Sequence, residues 1–341
     1  MLRLPEFHLL APQSLSEALA MLAADPQNTS VLAGGTDLLP NMKRRQQTPA
    51  RLLSLRNLTA LRHIHVSDGE IRIGGAVRLR EIEDHPLLQA EARALTQAVS
   101  QIATVHIRGT ATIGGNLCLD TRCDYYDQSE PWRKAIGYCK KKDGDICWVA
   151  TSSPRCLAVS STDAAPALMA LSARVVLSSQ NGDRELDLAD LYHNDGMAYL
   201  TKRPDELLTE IRIPRLPSRK SAYWKLRRRG SFDFPLLSVA AAVQLGSDGK
   251  VAQAGLALGA VSSRPFLVTD AAQLLVGQPL SDDRIAQVAD AAHALAKPMD
   301  HADMSLSYRK TMVKSLTRSA LCEVRGDDVT KERLRLMRLI G

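Results

Sequence analysis

Aromatic residues are scarce in this chain of 341 amino acids, where four Phe, three Trp and seven Tyr make up 4%. Long apolar runs are absent as well: no stretch approaches the ~18 residues that would span a bilayer, which excludes a helical membrane anchor. The opening MLRLPEFHLLAPQSLSEALAML has no basic segment followed by an apolar stretch and a small-residue cleavage site. We therefore expect no secretory leader, no membrane association and a cytoplasmic location. Net charge is +7, yet the basic residues are scattered, and Lys140-Lys141-Lys142 and Arg227-Arg228-Arg229 are too short for a nucleic-acid tail. Nothing fits G-x-G-x-x-G after a strand or G-x-x-x-x-G-K-[ST], so Rossmann and P-loop nucleotide sites are not supported. The eight histidines are dispersed and form no Ser/His/Asp or Cys/His arrangement that would make a substrate site.

Cysteine is the residue that is present in a telling pattern. Of six, five (Cys118, Cys123, Cys139, Cys147 and Cys156) lie between positions 118 and 156, and only Cys322 lies elsewhere. In a reducing compartment, thiolates gathered this densely hold a metal or an iron–sulfur cluster. A disulfide framework is the alternative, but small stapled domains need one far more than a chain with room for its own cores. The spacing C-x15-C-x7-C-x8-C from Cys123 to Cys156 lacks the paired C-x2-C elements of zinc ribbons and ferredoxins, so spacing alone does not choose the metal. Tyr125, Tyr126, Trp132, Tyr138 and Trp148 fall in the same stretch, which suggests a segment packed over something.

The remaining pattern is alternating α and β. Ser14 to Glu17 reads as a capping box before the apolar face Leu15, Ala18, Leu19 and Leu22, and Asp25-Pro26 stops that helix. Thr29–Leu32 and Arg51–Leu55 read as strands, and Thr36–Met42 as a helix opening. The alternation from Leu61 to Val77 around Ser67-Asp68-Gly69 predicts a hairpin, and His85–Val99 is helical in composition. Gly182–Asp190 and Leu207–Ile213 close the first region. Beyond the Pro-rich stretch at 214–220, strands Ser238–Leu245 and Val251–Leu258 flank a Ser247-Asp248-Gly249 turn, with helices expected at 281–297 and 305–324.

Two glycine pairs carry the binding chemistry. In Ala33-Gly34-Gly35-Thr36-Asp37 a strand meets a Gly-Gly turn at a helix start, where backbone can approach a ligand and exposed N–H groups favour phosphate. Thr112-Ile113-Gly114-Gly115-Asn116 has the same logic with hydroxyl and amide groups added. A connecting turn is the plain alternative for each, and Gly74-Gly75 is read as such a turn.

In combination, AGGTDLLPNMK, IRGTATIGGN, STDAAPAL and YWKLRRRGSFDFPLLSVAAAV resemble, in order and spacing, the flavin subunits of the molybdenum hydroxylase (xanthine dehydrogenase) family. The resemblance covers about residues 1–325. It implies an α+β protein with a two-part FAD-binding domain of vanillyl-alcohol-oxidase type, then a smaller α+β C-terminal domain of CO-dehydrogenase flavoprotein type. We expect the first at 1–217, with subdomains at about 1–57 and 58–217 and an insert at about 118–160; the second at 218–330; and a tail at 331–341. By the same resemblance, Ala33 to Asp37 and Thr112 to Asn116 would cradle the FAD pyrophosphate. Asp163 would bond sugar or ribityl hydroxyls, and Lys225 would lie beside the isoalloxazine. A helix N-cap is the plain alternative for Asp163, and a surface cation for Lys225.

With NLCLDTRCDYYDQ, WRKAIGYC, GDICWVATSSPRC and AVSSTDAAPAL, the insert departs from the common family pattern and resembles that of the 4-hydroxybenzoyl-CoA reductase branch. That likeness implies one 4Fe–4S cluster on Cys123, Cys139, Cys147 and Cys156, with zinc as the physical alternative. It also implies partner subunits bearing molybdenum and 2Fe–2S clusters, in a dimer of heterotrimers. Electrons would run from ferredoxin through 4Fe–4S and FAD to molybdenum, removing the phenolic hydroxyl of 4-hydroxybenzoyl-CoA. Cys118 reads as a buried thiol near the flavin and Cys322 as a core residue. Lys140 to Lys142, next to Cys139, are expected to form a basic docking patch for ferredoxin.

Overall fold

The computed structural model describes residues 2–216, 218–229, 232–302 and 304–338. A small parallel sheet comes first, formed by β1 (His8–Leu10), β2 (Thr29–Leu32) and β3 (Arg51–Ser54) in the order β1-β3-β2. The Ser14 hydroxyl accepts from the Glu17 N–H at 3.2 Å and starts the helix Leu15–Ala24, which buries Ala18, Leu19 and Leu22. Strand β1 is too short for its period to show in the sequence.

The second sheet is antiparallel, with β4 (Ile64–Ser67), β5 (Glu70–Gly74), β6 (Arg174–Ser179), β7 (Gly182–Asp187) and β8 (Leu207–Pro214) in the order β4-β5-β8-β6-β7. Asp68 and Gly69 both take positive φ (53° and 73°), the twist-matched turn that the hairpin requires. The helical stretch expected at 85–99 is two helices, Pro86–Glu91 and Arg93–Ser100, broken at buried Ala92.

The third sheet is antiparallel too, with β9 (Arg219–Leu226), β10 (Leu237–Leu245), β11 (Val251–Gly259) and β12 (Phe266–Leu267) in the order β12-β11-β10-β9. Period-2 alternation gives it two buried faces. Tyr223, Ala240, Ala242 and Ala257 join the core of the second sheet. Ala222, Trp224, Leu226, Val239 and Ala241 join a separate core with the helices Asp282–Leu295 and Leu306–Arg325. Small residues allow the first contact: a Cβ on Gly255 would strike the Ala170 carbonyl of the helix Ala164–Ala170. Pro217, at the expected domain boundary, and Leu339 to Gly341 of the expected tail lie outside the described residues.

The insert is rooted on a single bridge. Arg122 and Val159 exchange backbone hydrogen bonds of 2.8 and 2.7 Å, so the chain leaves and returns at one place. Between them the only helix among the described residues is Glu130–Ala135. The segment between the helices Asp282–Leu295 and Leu306–Arg325 braces the insert, since the Asp124 N–H donates to the His301 carbonyl at 3.2 Å.

His301 is buried against Arg309, whose guanidinium donates to the carbonyls of Leu236, Met299 and Ala260. Burial, and then the neighbouring guanidinium, hold His301 down at about 3 against an ordinary 6.5. The folded pKa is depressed, so the unfolded chain takes up the proton first. The contribution is intact above pH 6.5 and is lost as pH falls towards 3. We expect denaturant unfolding to show a loss of about 2 kcal/mol between pH 7 and pH 5 from this group. A His301→Gln variant should lack that increment, and an identical pH dependence in both proteins would refute the assignment.

Candidate functional site

The two glycine loops lie side by side. Gly34 sits against the backbone of Thr110 and Ala111, and the Ala33 methyl is 3.9 Å from where a Gly115 Cβ would stand. Their hydrogen-bonding states differ. Ile113 and Gly114 donate to the carbonyls of Val77 and Gly75, Gly115 to the Thr112 hydroxyl at 3.1 Å, and Asn116 to the Thr112 carbonyl. The N–H groups at the start of the helix Ile113–Leu117 are therefore spent on the fold. In contrast, among the described residues Gly34, Gly35, Thr36 and Asp37 donate no backbone hydrogen bond within the chain. With Gly35 at φ +71°, this first loop is the concavity of free N–H groups that suits an anion. The Asp37 carboxylate is engaged elsewhere: it pairs with the Arg122 guanidinium, which also reaches Asp127 and Asn41 at 3.2 Å.

Asn116 is bonded to the residues on either side of Asp163. The buried Asn116 side-chain oxygen accepts from the Thr162 hydroxyl at 2.8 Å and the Ala164 N–H at 3.2 Å. Thr162 in turn accepts from Ala165 N–H, so Thr162 caps the helix Ala164–Ala170 while the Asp163 carboxylate makes no capping bond. That carboxylate instead accepts from the Tyr223 hydroxyl at 2.5 Å and the Lys225 ammonium at 3.0 Å. Tyr223 and Lys225 are two apart on β9 and share a face. Lys225 is 2% exposed, which rules out a surface cation, and it also donates to the Gln101 carbonyl. Burial pushes the Asp163 carboxyl up and the Lys225 ammonium down, while their contact opposes both shifts. Tyr223 was not anticipated; the alternation in YWKL beside Lys225 was the signal for it.

Cys123, Cys139, Cys147 and Cys156 line one pocket with Tyr125, Tyr126, Trp148 and Lys141. All four are buried and none forms a disulfide. Burial pushes the Cys123 thiol up to about 12 and Cys156 to about 11, the latter drawn back in part by Lys141. Buried thiols of this kind become thiolates when a bound cation compensates them. Among the described residues, no three His, Cys, Asp or Glu groups are arranged to ligate a single ion. Cys118 stands outside the pocket, its carbonyl accepting from Tyr199, and Cys322 lies at the edge of the C-terminal core.

The lysine run is not one exposed patch. The Lys141 side chain is 6% exposed and donates to Asp120, Thr121 and the Gly196 carbonyl, while Lys140 and Lys142 remain half-buried. Asp120 lies 21 residues upstream, so adjacency in sequence gave no sign of the pairing.

The family "FAD binding domain in molybdopterin dehydrogenase" matches residues 5–216, and "CO dehydrogenase flavoprotein C-terminal domain" matches residues 221–324. The chain belongs to this family and is an FAD-binding subunit of the molybdenum hydroxylase type. It is 27% identical to the nicotinate dehydrogenase FAD-subunit of Eubacterium barkeri, over 94% of this chain and 96% of that protein. To the aldehyde oxidoreductase FAD-binding subunit of Escherichia coli it is 30% identical, over 90% and 95%. A structure of reconstituted CO dehydrogenase from Oligotropha carboxidovorans superposes with a TM-score of 0.78 at 25% identity, over 96% of this chain and all of that one (100%).

The glycine geometry separates ligand effects from folding effects. A Cβ on Gly114 would stand 2.7 Å from the Gly75 carbonyl oxygen, so Gly114→Val should lower the melting temperature. At Gly35 the positive φ opposes a β-branched residue by roughly 1–3 kcal/mol. Gly35→Val should therefore weaken FAD binding about tenfold or more, measured by flavin fluorescence, while Gly35→Asn keeps more of it. Equal FAD affinity in wild type and Gly35→Val would remove this loop from the site.

Proposed function

We propose that the chain is the FAD and 4Fe–4S electron-transfer subunit of a molybdenum-containing reductase. In this reading, electrons pass from reduced ferredoxin through 4Fe–4S and FAD to partner 2Fe–2S clusters and molybdenum. There, two electrons and two protons convert 4-hydroxybenzoyl-CoA to benzoyl-CoA and water. The observation that carries the reading is the convergence of Cys123, Cys139, Cys147 and Cys156 on one buried pocket.

One feature favours a cluster over zinc. A zinc ion gathers its sulfurs about 2.3 Å from one point, whereas a cluster brings its own iron and sulfide and is served by thiols around a wider pocket. The four thiols share one pocket without forming a single-ion group among the described residues, which supports the second arrangement over the first. FAD would be held at the free N–H groups of Gly34 to Asp37, with Thr112 to Asn116 backing them and Asp163 and Lys225 beyond. FAD supplies the exchange between paired and single electrons; the residues hold it in place and keep water away.

A second reading is an oxidising hydroxylase whose insert carries structural zinc. The names of the relatives favour it, being dehydrogenases such as nicotinate dehydrogenase and caffeine dehydrogenase. Metal content and substrate turnover distinguish the two. For the reductase reading, purified protein contains iron and acid-labile sulfide, and Cys139→Ser loses most of both while retaining FAD, because serine is a poor substitute for a soft thiolate. Cys118→Ser and Cys322→Ser should keep iron near the wild-type level. Zinc in place of iron, or iron loss in Cys118→Ser with retention in Cys139→Ser, would overturn the ligand assignment. The partners would be tested by co-purification and an assay across aromatic CoA thioesters.

In this reading ferredoxin docking falls to the half-buried Lys140 and Lys142, because the Lys141 ammonium is buried. Steering by charge is strongest at low ionic strength. The double change Lys140→Gln/Lys142→Gln should slow reduction by an acidic ferredoxin severalfold at low salt and leave the high-salt rate unchanged. Equal slowing at every salt concentration would exclude docking through these charges.

A further inference from the structure

Lys140 and Lys141 both line the thiol pocket, and the Lys141 ammonium makes its hydrogen bonds to residues outside that lining. Its nitrogen donates to Asp120 Oδ1 at 2.8 Å, Thr121 Oγ1 at 2.7 Å and the Gly196 carbonyl at 2.7 Å. It also lies 4.8 Å from the centre of the Tyr126 ring and 5.4 Å from that of Tyr199. Three donors and three acceptors leave the ammonium no rotational freedom to exploit. Asp120 is held as firmly: its other oxygen accepts from Tyr126 at 3.2 Å and Gln47 at 3.0 Å. Lys141 lines the pocket and Asp120 does not, so the pair turns its positive end towards the thiols.

The orientation has an electrostatic consequence. Lysine and aspartate this deeply buried, 6% and 5% exposed, are screened little by water or salt. A cluster on four thiolates becomes more negative by one charge when it accepts one electron from an external donor, which is itself oxidised by one electron. A fixed cation at the wall stabilises the reduced form, and a carboxylate behind it opposes that effect. Net charge and the groups around the ligands are among the terms that set such potentials.

We propose that Lys141 is the internal counter-ion of the cluster and that the Lys141–Asp120 pair sets its reduction potential. Lys141 is a positioning and tuning residue, not a ligand. The inference rests on the cluster reading above and adds to it a definite sign for each member of the pair.

The test is a potentiometric titration, followed by electron paramagnetic resonance, of the full chain reconstituted with ferrous iron and sulfide. Lys141→Met keeps the aliphatic stem and removes the charge, so the potential should fall. Asp120→Asn removes the opposing charge and should raise it. Lys141→Arg retains the charge and should stay near wild type. A merely structural role would lower iron content without moving the two potentials in opposite directions. Unshifted potentials, or shifts of the same sign in Lys141→Met and Asp120→Asn, overturn the inference while leaving the cluster in place. If Lys141→Met assembles no cluster, Asp120→Asn decides: a raised potential supports the inference and an unchanged one overturns it. A wild-type protein that takes up no iron and sulfide would instead overturn the cluster reading, and this inference with it.

Discussion

The contact on which the arrangement turns is the buried ion pair between Asp163 and Lys225. It ties the start of the helix Ala164–Ala170 to β9, and hence the core of the second sheet to the third sheet. Tyr223 completes it from the same strand face. A buried pair of this kind is not in itself a source of stability, because both charges are taken out of water. Removing one partner is another matter and typically costs about 3–5 kcal/mol. The pair therefore specifies how the two regions dock. It forces the β9 register that places Tyr223 and Lys225 inward, since a slip of one residue would bring Trp224 to Asp163. Thr162 and Ala164, on either side of Asp163, bond Asn116 in the helix Ile113–Leu117 that carries the second glycine pair.

Glycine serves two purposes here, and distinguishing them changes how the family pattern is read. Gly34, Gly75, Gly114 and Gly255 are small because protein backbone occupies the space a side chain would need. Gly35 is required for its positive φ, beside N–H groups that the chain does not use. The two glycine pairs thus combine close packing at Gly34 and Gly114 with one clear conformational requirement at Gly35. Gly74-Gly75 belongs to the same construction, as the Gly75 carbonyl accepts from Gly114 N–H at 2.9 Å. A pair read as a plain connecting turn thus supports the loop that was read as a cradle.

Much of this was legible in the chain because the signals were local. The hairpin at Asp68-Gly69, the cap at Ser14 and the strands on either side of Ser247-Asp248-Gly249 each rest on neighbouring residues. The gathering of the cysteines was readable from density alone, although their geometry was not. What failed to show were pairings across sequence. Three consecutive lysines look like a solvated patch until Asp120, Thr121 and Gly196 converge on the middle one. Asp37 looked like part of a phosphate loop, and its partner Arg122 lies at the root of the insert. Neither partner could be found by period or propensity, because the fold that joins them is set by the sheets.

The insert itself poses an energetic question that its pocket answers in part. A segment of loops with one short helix must offset the entropy of ordering its backbone, about 1–2 kcal/mol per residue. Its hydrophobic cluster is small, built on Cys123, Tyr126, Cys139, Cys156 and Ala158 with Tyr125, Trp148 and Val149 beside them. The Arg122–Val159 bridge closes the loop at its root, and Lys141 pins its middle to residues 120, 121 and 196. Four thiols from widely spaced turns then lie at the centre, where a ligand to all of them would cross-link the whole segment. On that argument the proposed cluster would be structural as well as electronic, holding together an insert whose own apolar contacts are few. The scarcity of aromatics elsewhere fits this account, because Tyr125, Tyr126 and Trp148 are concentrated where the chain has the least regular structure to rely on.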